Sequence, residues 1–267
     1  MSRITPKLES LKQAGRKALI PFITAGDPNP AFTVPAMHAM VEAGADIIEL
    51  GVPFSDPMAD GPVIQRASER ALAHKMSLRK VLELVREFRL KDDTTPVVLM
   101  GYLNPVESLG YRNFVEKARE VGVDGVLTVD MPPEESSEFL PMLDEAGIDP
   151  VFLLAPNSTN ERIAKMGQLG RGYLYYVSLK GVTGASHLNL DDVERKIKEI
   201  RKLTSLPIAV GFGVKNAETA AAVAKLCDGV VVGSALVGKI EAAGADTSLA
   251  LKEMTALLSS MRMSLNA

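Results

Sequence analysis

The chain of 267 residues has no tryptophan, a single cysteine and only 5% aromatic residues. With Cys227 alone, no intramolecular disulfide can form, and a reducing cytosol is the expected compartment. No apolar run approaches the roughly 18 residues of a membrane span, and the N-terminus lacks the apolar stretch of a signal peptide. These absences predict a cytoplasmic protein without a membrane anchor.

Excess charge of one sign is also missing. The formal net charge is −3, and without a basic run the chain has no electrostatic footprint for nucleic acid or an anionic membrane. Its three histidines share no spacing with each other or with the cysteine, so no metal site is expected. Any anionic ligand must therefore be bound by a few local groups rather than by a broad basic surface.

Short apolar runs alternate with longer segments of helical period, which indicates βα units and a parallel sheet. Eight runs are predicted as strands: 18–24, 46–50, 96–100, 125–129, 150–155, 173–178, 207–211 and 229–232. The predicted helices are 30–43, 78–90, 111–121, 134–146, 161–169, 190–204, 217–225 and 247–263. Eight such units predict a (β/α)8 TIM barrel that occupies the whole chain, 1–267, as a single domain.

A weak internal repeat supports the barrel. Three times, a glycine just past a predicted helix is followed by an aspartate just before the next strand: at 44 and 46, at 122 and 124, and at 147 and 149. The residue that follows a helix often adopts the left-handed backbone conformation, which glycine allows. These turns are therefore interpreted as connections between helix and strand and not as part of a binding site. An extra amphipathic helix over 7–14 is predicted to cover the bottom of the barrel.

The stretch 45–62 contains the strongest candidate for catalysis. Glu49 interrupts a strand that should be continuously apolar, and a loop stiffened by prolines then carries Asp56 and Asp60. Partial burial would raise the pKa of Glu49 towards a value useful in acid–base catalysis. The alternative is that Glu49 is a paired strand-end charge and that the two aspartates only form turns.

Late glycine-rich loops predict a phosphate site. Glycines follow the sixth, seventh and eighth runs, and the last of them, Gly233, precedes Ser234 at the start of a helix. Backbone N–H groups at such a place bind anions, and the late loops of these barrels commonly bind phosphate. The expected lining between the acids and the phosphate site is largely apolar: Phe22, Met100, Leu127, Tyr175 and Phe212.

Four motifs carry a close resemblance to the tryptophan synthase alpha-subunit family. They are PFITAGD at 21–27, ELGVPFSDPMADGP at 49–62, GVTG at 181–184 and GFG at 211–213. The resemblance runs from about residue 21 to the final helix, and the second motif is long enough to be highly specific. It implies a lyase that cleaves indole-3-glycerol phosphate to indole and glyceraldehyde 3-phosphate without a cofactor. It also implies a beta-subunit partner in a heterotetramer of two alpha and two beta subunits.

By the same resemblance, Glu49 is the acid–base catalyst and Asp60 binds the indole N–H. The family also implies substrate contacts at Thr183 and Tyr175, phosphate contacts at Gly184, Gly213, Gly233 and Ser234, and partner contacts at Pro53, Asp56, Asn104 and Asp130. The chain departs from some members at Leu179 and Lys180, where an arginine follows the serine of that loop.

Two other functions remain open on the sequence. A stand-alone indole-releasing lyase would keep the whole site but need no partner. A different barrel enzyme acting on a phosphorylated sugar would keep the glycine loops but have no use for Glu49 together with Asp60.

Overall fold

The computed structural model describes residues 2–177, 190–211 and 213–266. The strand segments in these ranges are β1 (Ala18–Thr24), β2 (Ile48–Gly51), β3 (Val97–Gly101), β4 (Gly125–Thr128), β5 (Asp149–Pro150), β6 (Phe152–Leu154), β7 (Leu174–Val177), β8 (Ile208–Gly211) and β9 (Gly229–Val232). The helices are α1 (Ile4–Gln13), α2 (Pro30–Glu42), α3 (Pro62–Ala73), α4 (Leu78–Arg89), α5 (Leu103–Leu109), α6 (Tyr111–Val121), α7 (Phe139–Ala146), α8 (Asn160–Leu169), α9 (Leu190–Arg201), α10 (Ala217–Ala224), α11 (Ser234–Ala243) and α12 (Thr247–Asn266).

All strand pairings between these segments are parallel, in the order β5-β4-β3-β2-β1-β9-β8-β7-β6. The two end segments, β5 and β6, are halves of the predicted fifth strand and are separated by Val151 alone. The first half pairs with β4 and the second with β7. This one stretch therefore closes the sheet, and the predicted TIM barrel is confirmed.

The extra N-terminal helix lies where it was predicted, although it begins at Ile4 rather than at residue 7. Its buried side chains Ile4, Leu8 and Leu11 belong to the same apolar cluster as the inward-facing strand residues, such as Ile20 and Val98. Because these helix side chains fill the space between the strands, α1 closes one end of the barrel and leaves the opposite end for a site.

Two of the three aspartates of the predicted turns bind backbone groups at that closed end. Asp46 Oδ2 accepts a hydrogen bond from Leu19 N–H, and Asp124 Oδ2 accepts one from Val97 N–H, both at 2.9 Å. Each carboxylate thus satisfies the first free donor of a neighbouring strand. The preceding glycines all have positive φ, as the predicted turns require: Gly44, Gly122 and Gly147.

Two helices, α3 and α5, were not predicted. Pro62 was interpreted as part of a loop, but proline is favoured at the first helical position because its missing N–H needs no partner there. In α5, Asp130 Oδ1 from the next βα loop accepts the Leu103 N–H and caps the helix from outside. The segment 134–138 was predicted as helix but forms a turn, in which the Ser136 hydroxyl donates to the Pro133 carbonyl.

Helices α3 and α11 are additional to the barrel's repeat, since each precedes a second helix in its βα connection. They pack against each other and against β1. Within the described part of the chain, no helix combines the length and apolar character needed to cross a membrane.

Candidate active site

Glu49 lies in the second barrel strand and is fully buried. Its lateral neighbours are Phe22 on β1 and Val98 on β3. The Tyr173 hydroxyl donates a 2.6 Å hydrogen bond to Glu49 Oε1. Oε2 has no hydrogen-bond partner among the described residues. A buried carboxyl oxygen without a partner is unusual in a native interior, so this atom is positioned for a ligand or a proton.

Burial raises the pKa of Glu49 from 4.5 to about 8, although the Tyr173 hydrogen bond opposes the shift. The ionised carboxylate would have to give up its hydration inside the barrel, and this is the physical cause of the rise. Glu49 therefore carries a proton at neutral pH and is able to act first as an acid.

Asp60 lies at the end of the loop that follows β2. The Tyr102 hydroxyl donates a 3.0 Å hydrogen bond to Asp60 Oδ2 and accepts one of 2.9 Å from Ala59 N–H. The Gln65 side-chain amide donates to the Asp60 carbonyl at 2.9 Å. Burial raises the pKa of Asp60, and the Tyr102 hydrogen bond opposes that rise. The carboxylate is thus held by Tyr102, just past β3, while Gln65 of α3 holds the backbone of the same residue.

A cleft beside Asp60 contains two of the predicted apolar lining residues, Phe22 and Met100. The residues around it come from β1, β2, β3, α3 and the loops between them: Phe22, Thr24, Gly51, Val52, Asp60, Ile64, Ser68, Met100, Gly101, Tyr102 and Val129. A side chain at Gly51 would collide with the Phe22 ring, with its Cβ at 2.6 Å from Phe22 Cζ. Glycine at this position therefore lets the aromatic ring lie across the strand.

Leu127 and Tyr175 belong to the apolar interior of the barrel, against which Met100 also packs. Burial, then the negative charges of Glu49 and Asp60, raise the pKa of Tyr175 well above its usual value. A Cβ at Gly211 would collide with the Tyr175 hydroxyl, so the glycine that ends β8 makes room for this ring.

The predicted phosphate site is described only in part. Gly233 precedes α11, and no described side chain caps that helix end. Ser234 is exposed as the first residue of the helix, and Gly213 has a φ of +78° after β8. Phe22 lies in ordinary contact distance of a Cβ built on Gly233, which places the helix start beside the cleft. Thr183, Gly184 and Phe212 lie outside the described residues, as do Leu179 and Lys180.

The four predicted partner-contact residues lie in the segments that follow β2, β3 and β4, with Asn104 in the first turn of α5. Asp56 and Asn104 are exposed. Asp130 is also exposed, and its carboxylate caps α5 as described above. Pro53 is buried within the chain itself, so a partner could reach the loop around it rather than the ring.

Sequence reasoning missed Tyr173, Tyr102, Thr24 and Ser68. The signal for Tyr173 was its alternation with Tyr175, because residues two apart in a strand face the same side. Tyr102 lies two residues past the predicted strand 96–100, at the end of the barrel where a site is expected. Thr24 and Ser68 are nearly completely buried polar residues in the cleft, and the Thr24 hydroxyl has no partner in the described part of the chain.

Fold and site together define a TIM-barrel enzyme with a buried carboxyl on its second strand and a second carboxylate in the loop that follows that strand. The described residues contain no group of three or more His, Cys, Asp or Glu side chains able to hold a metal ion. The family profile described as tryptophan synthase alpha chain matches residues 8–266. The chain belongs to the tryptophan synthase alpha chain family.

Individual relatives agree with this assignment. The tryptophan synthase alpha chain of Methylococcus capsulatus is 69% identical over the full length of both chains. That of Nitrosococcus oceani is 58% identical, with 100% of this chain and 98% of the relative covered. The crystal structure of the alpha subunit from Legionella pneumophila superposes with a TM-score of 0.93 at 46% identity, and it covers 100% of this chain and 99% of the other. The chain is accordingly a lyase that cleaves indole-3-glycerol phosphate to indole and glyceraldehyde 3-phosphate.

Proposed function

We propose that Glu49 and Asp60 carry out this cleavage together, with Glu49 moving the protons and Asp60 stabilising charge on the indole ring. The observation that carries the proposal is a fully buried glutamate with one oxygen that has no hydrogen-bond partner among the described residues. It lies on the strand that precedes the loop carrying a half-buried aspartate in the cleft. An acid of raised pKa beside a second carboxylate is the arrangement that separates a proton donor from a charge stabiliser.

The proton balance follows from the protonated state of Glu49. Its carboxyl donates a proton to the ring carbon that bears the side chain, and the indole acquires a positive charge. Asp60 accepts a hydrogen bond from the ring N–H and stabilises that charge. The Glu49 carboxylate then removes the proton of the adjacent side-chain hydroxyl, and the carbon–carbon bond breaks. Indole and the aldehyde leave, and Glu49 is protonated again for the next turnover.

The binding site is proposed to hold the two ends of the substrate separately. The indole lies among Phe22, Met100, Leu127 and Tyr175, where the apolar surface excludes water. The phosphate binds N–H groups at the start of α11, beside Gly233 and Ser234, because the positive end of a helix favours an anion. Gly213, Gly184, Thr183 and Phe212 are assigned to the same pocket by family resemblance.

The mechanism is tested by indole release from indole-3-glycerol phosphate by the purified chain. Glu49→Gln keeps the shape of the side chain but cannot transfer a proton, so cleavage should fall by about a hundred- to ten-thousand-fold. Asp60→Asn should also be severe. Asp56→Asn, on the same loop but exposed, is the matched control and should retain cleavage. A loss below tenfold in the Glu49 variant would remove that residue from the mechanism.

The partner is proposed to be a tryptophan synthase beta subunit in a heterotetramer of two alpha and two beta subunits, in the cytoplasm. Indole is small and uncharged, so direct transfer to the next active site would prevent its loss. The segments that carry Asp56, Asn104 and Asp130 follow the C-terminal ends of β2, β3 and β4, where the product emerges. Met58 on the first of these segments is 85% exposed, and a large apolar side chain in this position suits a protein contact.

A titration with beta subunit distinguishes this assembly from a stand-alone lyase. Cleavage by the wild-type chain should rise as the beta subunit is added, and Asp56→Ala should lower that activation more than it lowers cleavage by the isolated chain. Glu9→Ala is the control, because Glu9 is exposed on α1 at the closed end of the barrel. Unchanged turnover across the wild-type titration would favour the stand-alone enzyme.

A further inference from the structure

Helices α3 and α11 are joined by an ionic cluster that lies away from the catalytic groups. Arg66 Nε and Nη2 donate to Glu241 Oε1 and Oε2 at 2.6 and 2.8 Å. Arg70 Nη1 donates to Glu241 Oε1 at 2.8 Å. We call these three side chains the α3–α11 clamp. Two arginines thus hold one glutamate, and the Arg66 contact is a two-point fork, which fixes orientation as well as distance.

Arg70 also ties the clamp to the first barrel strand. Its Nε and Nη2 donate to Asp27 Oδ1 and Oδ2 at 2.6 and 3.0 Å, and the Asp27 side chain is fully buried. Asp27 follows the end of β1, which pairs with the catalytic strand β2. The clamp is therefore anchored to the barrel rather than being an isolated surface pair.

The two clamped helices begin at the two ends of the proposed substrate site. Helix α3 starts at Pro62, two residues after Asp60, and α11 starts at Ser234. Ala67 lies between the two clamp arginines of α3, and Val237 lies between the start of α11 and Glu241. Both are buried and pack together with Phe22. Glu241 is seven residues beyond Ser234, a rise of roughly 10 Å along the helix axis. If the contacts of Glu241 were lost, α11 could tilt, and its start would then move relative to the Asp60 loop.

We propose that Arg66, Arg70 and Glu241 are positioning residues that set the separation between the indole-binding carboxylate and the phosphate-binding helix start. The proposal rests on the proposed function, in which Asp60 and the start of α11 hold opposite ends of one substrate. Loss of the clamp should therefore lower the affinity for a ligand that spans both ends of the site, and it should not lower the affinity for a ligand that binds only one end. A merely structural pair would make no such distinction.

The test compares three ligands on Glu241→Gln: a non-cleavable analogue in which a three-carbon chain joins indole to phosphate, indole alone, and inorganic phosphate alone. The variant should bind the linked analogue about three- to tenfold more weakly, whereas its affinity for each fragment should change by less than about twofold. The expected loss is modest because exposed ionic contacts are individually weak. Cleavage should show the loss mainly as a raised KM. Glu253→Gln is the matched control. It removes the ion pair between Lys239 and Glu253, which joins α11 to α12 rather than to α3.

Arg66→Gln leaves Glu241 paired with Arg70 and is the second variant, with a smaller expected loss of about twofold. The double variant should lose less than the two single losses combined, because both remove the same contact. Unchanged affinity for the linked analogue, or equal losses for all three ligands, would overturn the clamp. If the wild-type chain itself binds the linked analogue no better than the fragments, the proposed two-ended substrate site is wrong instead.

Discussion

Replacing Glu49 with glutamine should change how stability depends on pH as well as abolishing cleavage. In the folded chain burial raises the pKa of Glu49 to about 8, against 4.5 for an exposed glutamate. Between these two values the folded state retains a proton that the unfolded state has released. Stability must therefore fall as the pH rises through this window.

The size of the effect follows from the shift. Each pH unit inside the window changes the free energy of unfolding by about 1.4 kcal/mol for a single group. Wild type should therefore lose about 2 to 3 kcal/mol relative to Glu49→Gln between pH 5 and pH 7. The amide does not titrate, so the variant should be the more stable protein at pH 8, where it is inactive.

Urea unfolding of both proteins at pH 5, 6, 7 and 8 measures this difference, because contributions from all other titrating groups cancel. Glu9→Gln, at an exposed position of α1, controls for the substitution itself and should run parallel to wild type. A constant difference between wild type and Glu49→Gln across the four pH values would show that Glu49 is not a buried, protonated acid.

Three further predictions concern the groups around the site. Tyr173→Phe removes the hydrogen bond that lowers the pKa of Glu49, so the alkaline limb of the pH profile of kcat should move up by about one unit; an unmoved limb would contradict this. Arg70→Gln leaves the buried Asp27 unpaired and should destabilise the fold by about 3 kcal/mol at neutral pH. Burial raises the pKa of Asp27, and Arg70 opposes the rise, so without Arg70 the deficit in urea unfolding should shrink as the pH falls and Asp27 takes up a proton. Ser234→Asp should stabilise α11 slightly through the helix dipole but weaken phosphate-bearing ligands at least tenfold by repulsion; calorimetry in which indole weakens equally would refute a phosphate site there.

The barrel and the buried carboxyl of Glu49 could be predicted because both depend on local patterns. Glu49 was recognisable as a charge in a strand that should be apolar, and the repeated Gly-x-Asp turns marked the ends of the units. Tyr173, by contrast, contacts Glu49 across 124 positions of sequence, and no local pattern encodes such a pairing. Helix α3 was missed because Pro62 was interpreted as a loop residue rather than as the first residue of a helix.

The position of the strand-start aspartates at the closed end of the barrel has a consequence for natural variation. Asp124 lies at the closed end of the barrel, where it bonds Arg3 and Arg89 and is almost inaccessible to solvent, whereas Asp60 lies at the open end. Substitution of Asp124 should therefore lower the amount of folded enzyme in a cell while each surviving molecule works normally. Substitution of Asp60 should leave abundance intact and remove turnover. Residues needed for folding stability and residues needed for turnover therefore lie at opposite ends of the barrel. Substitutions in the open-end loops can change substrate preference without first destabilising the fold.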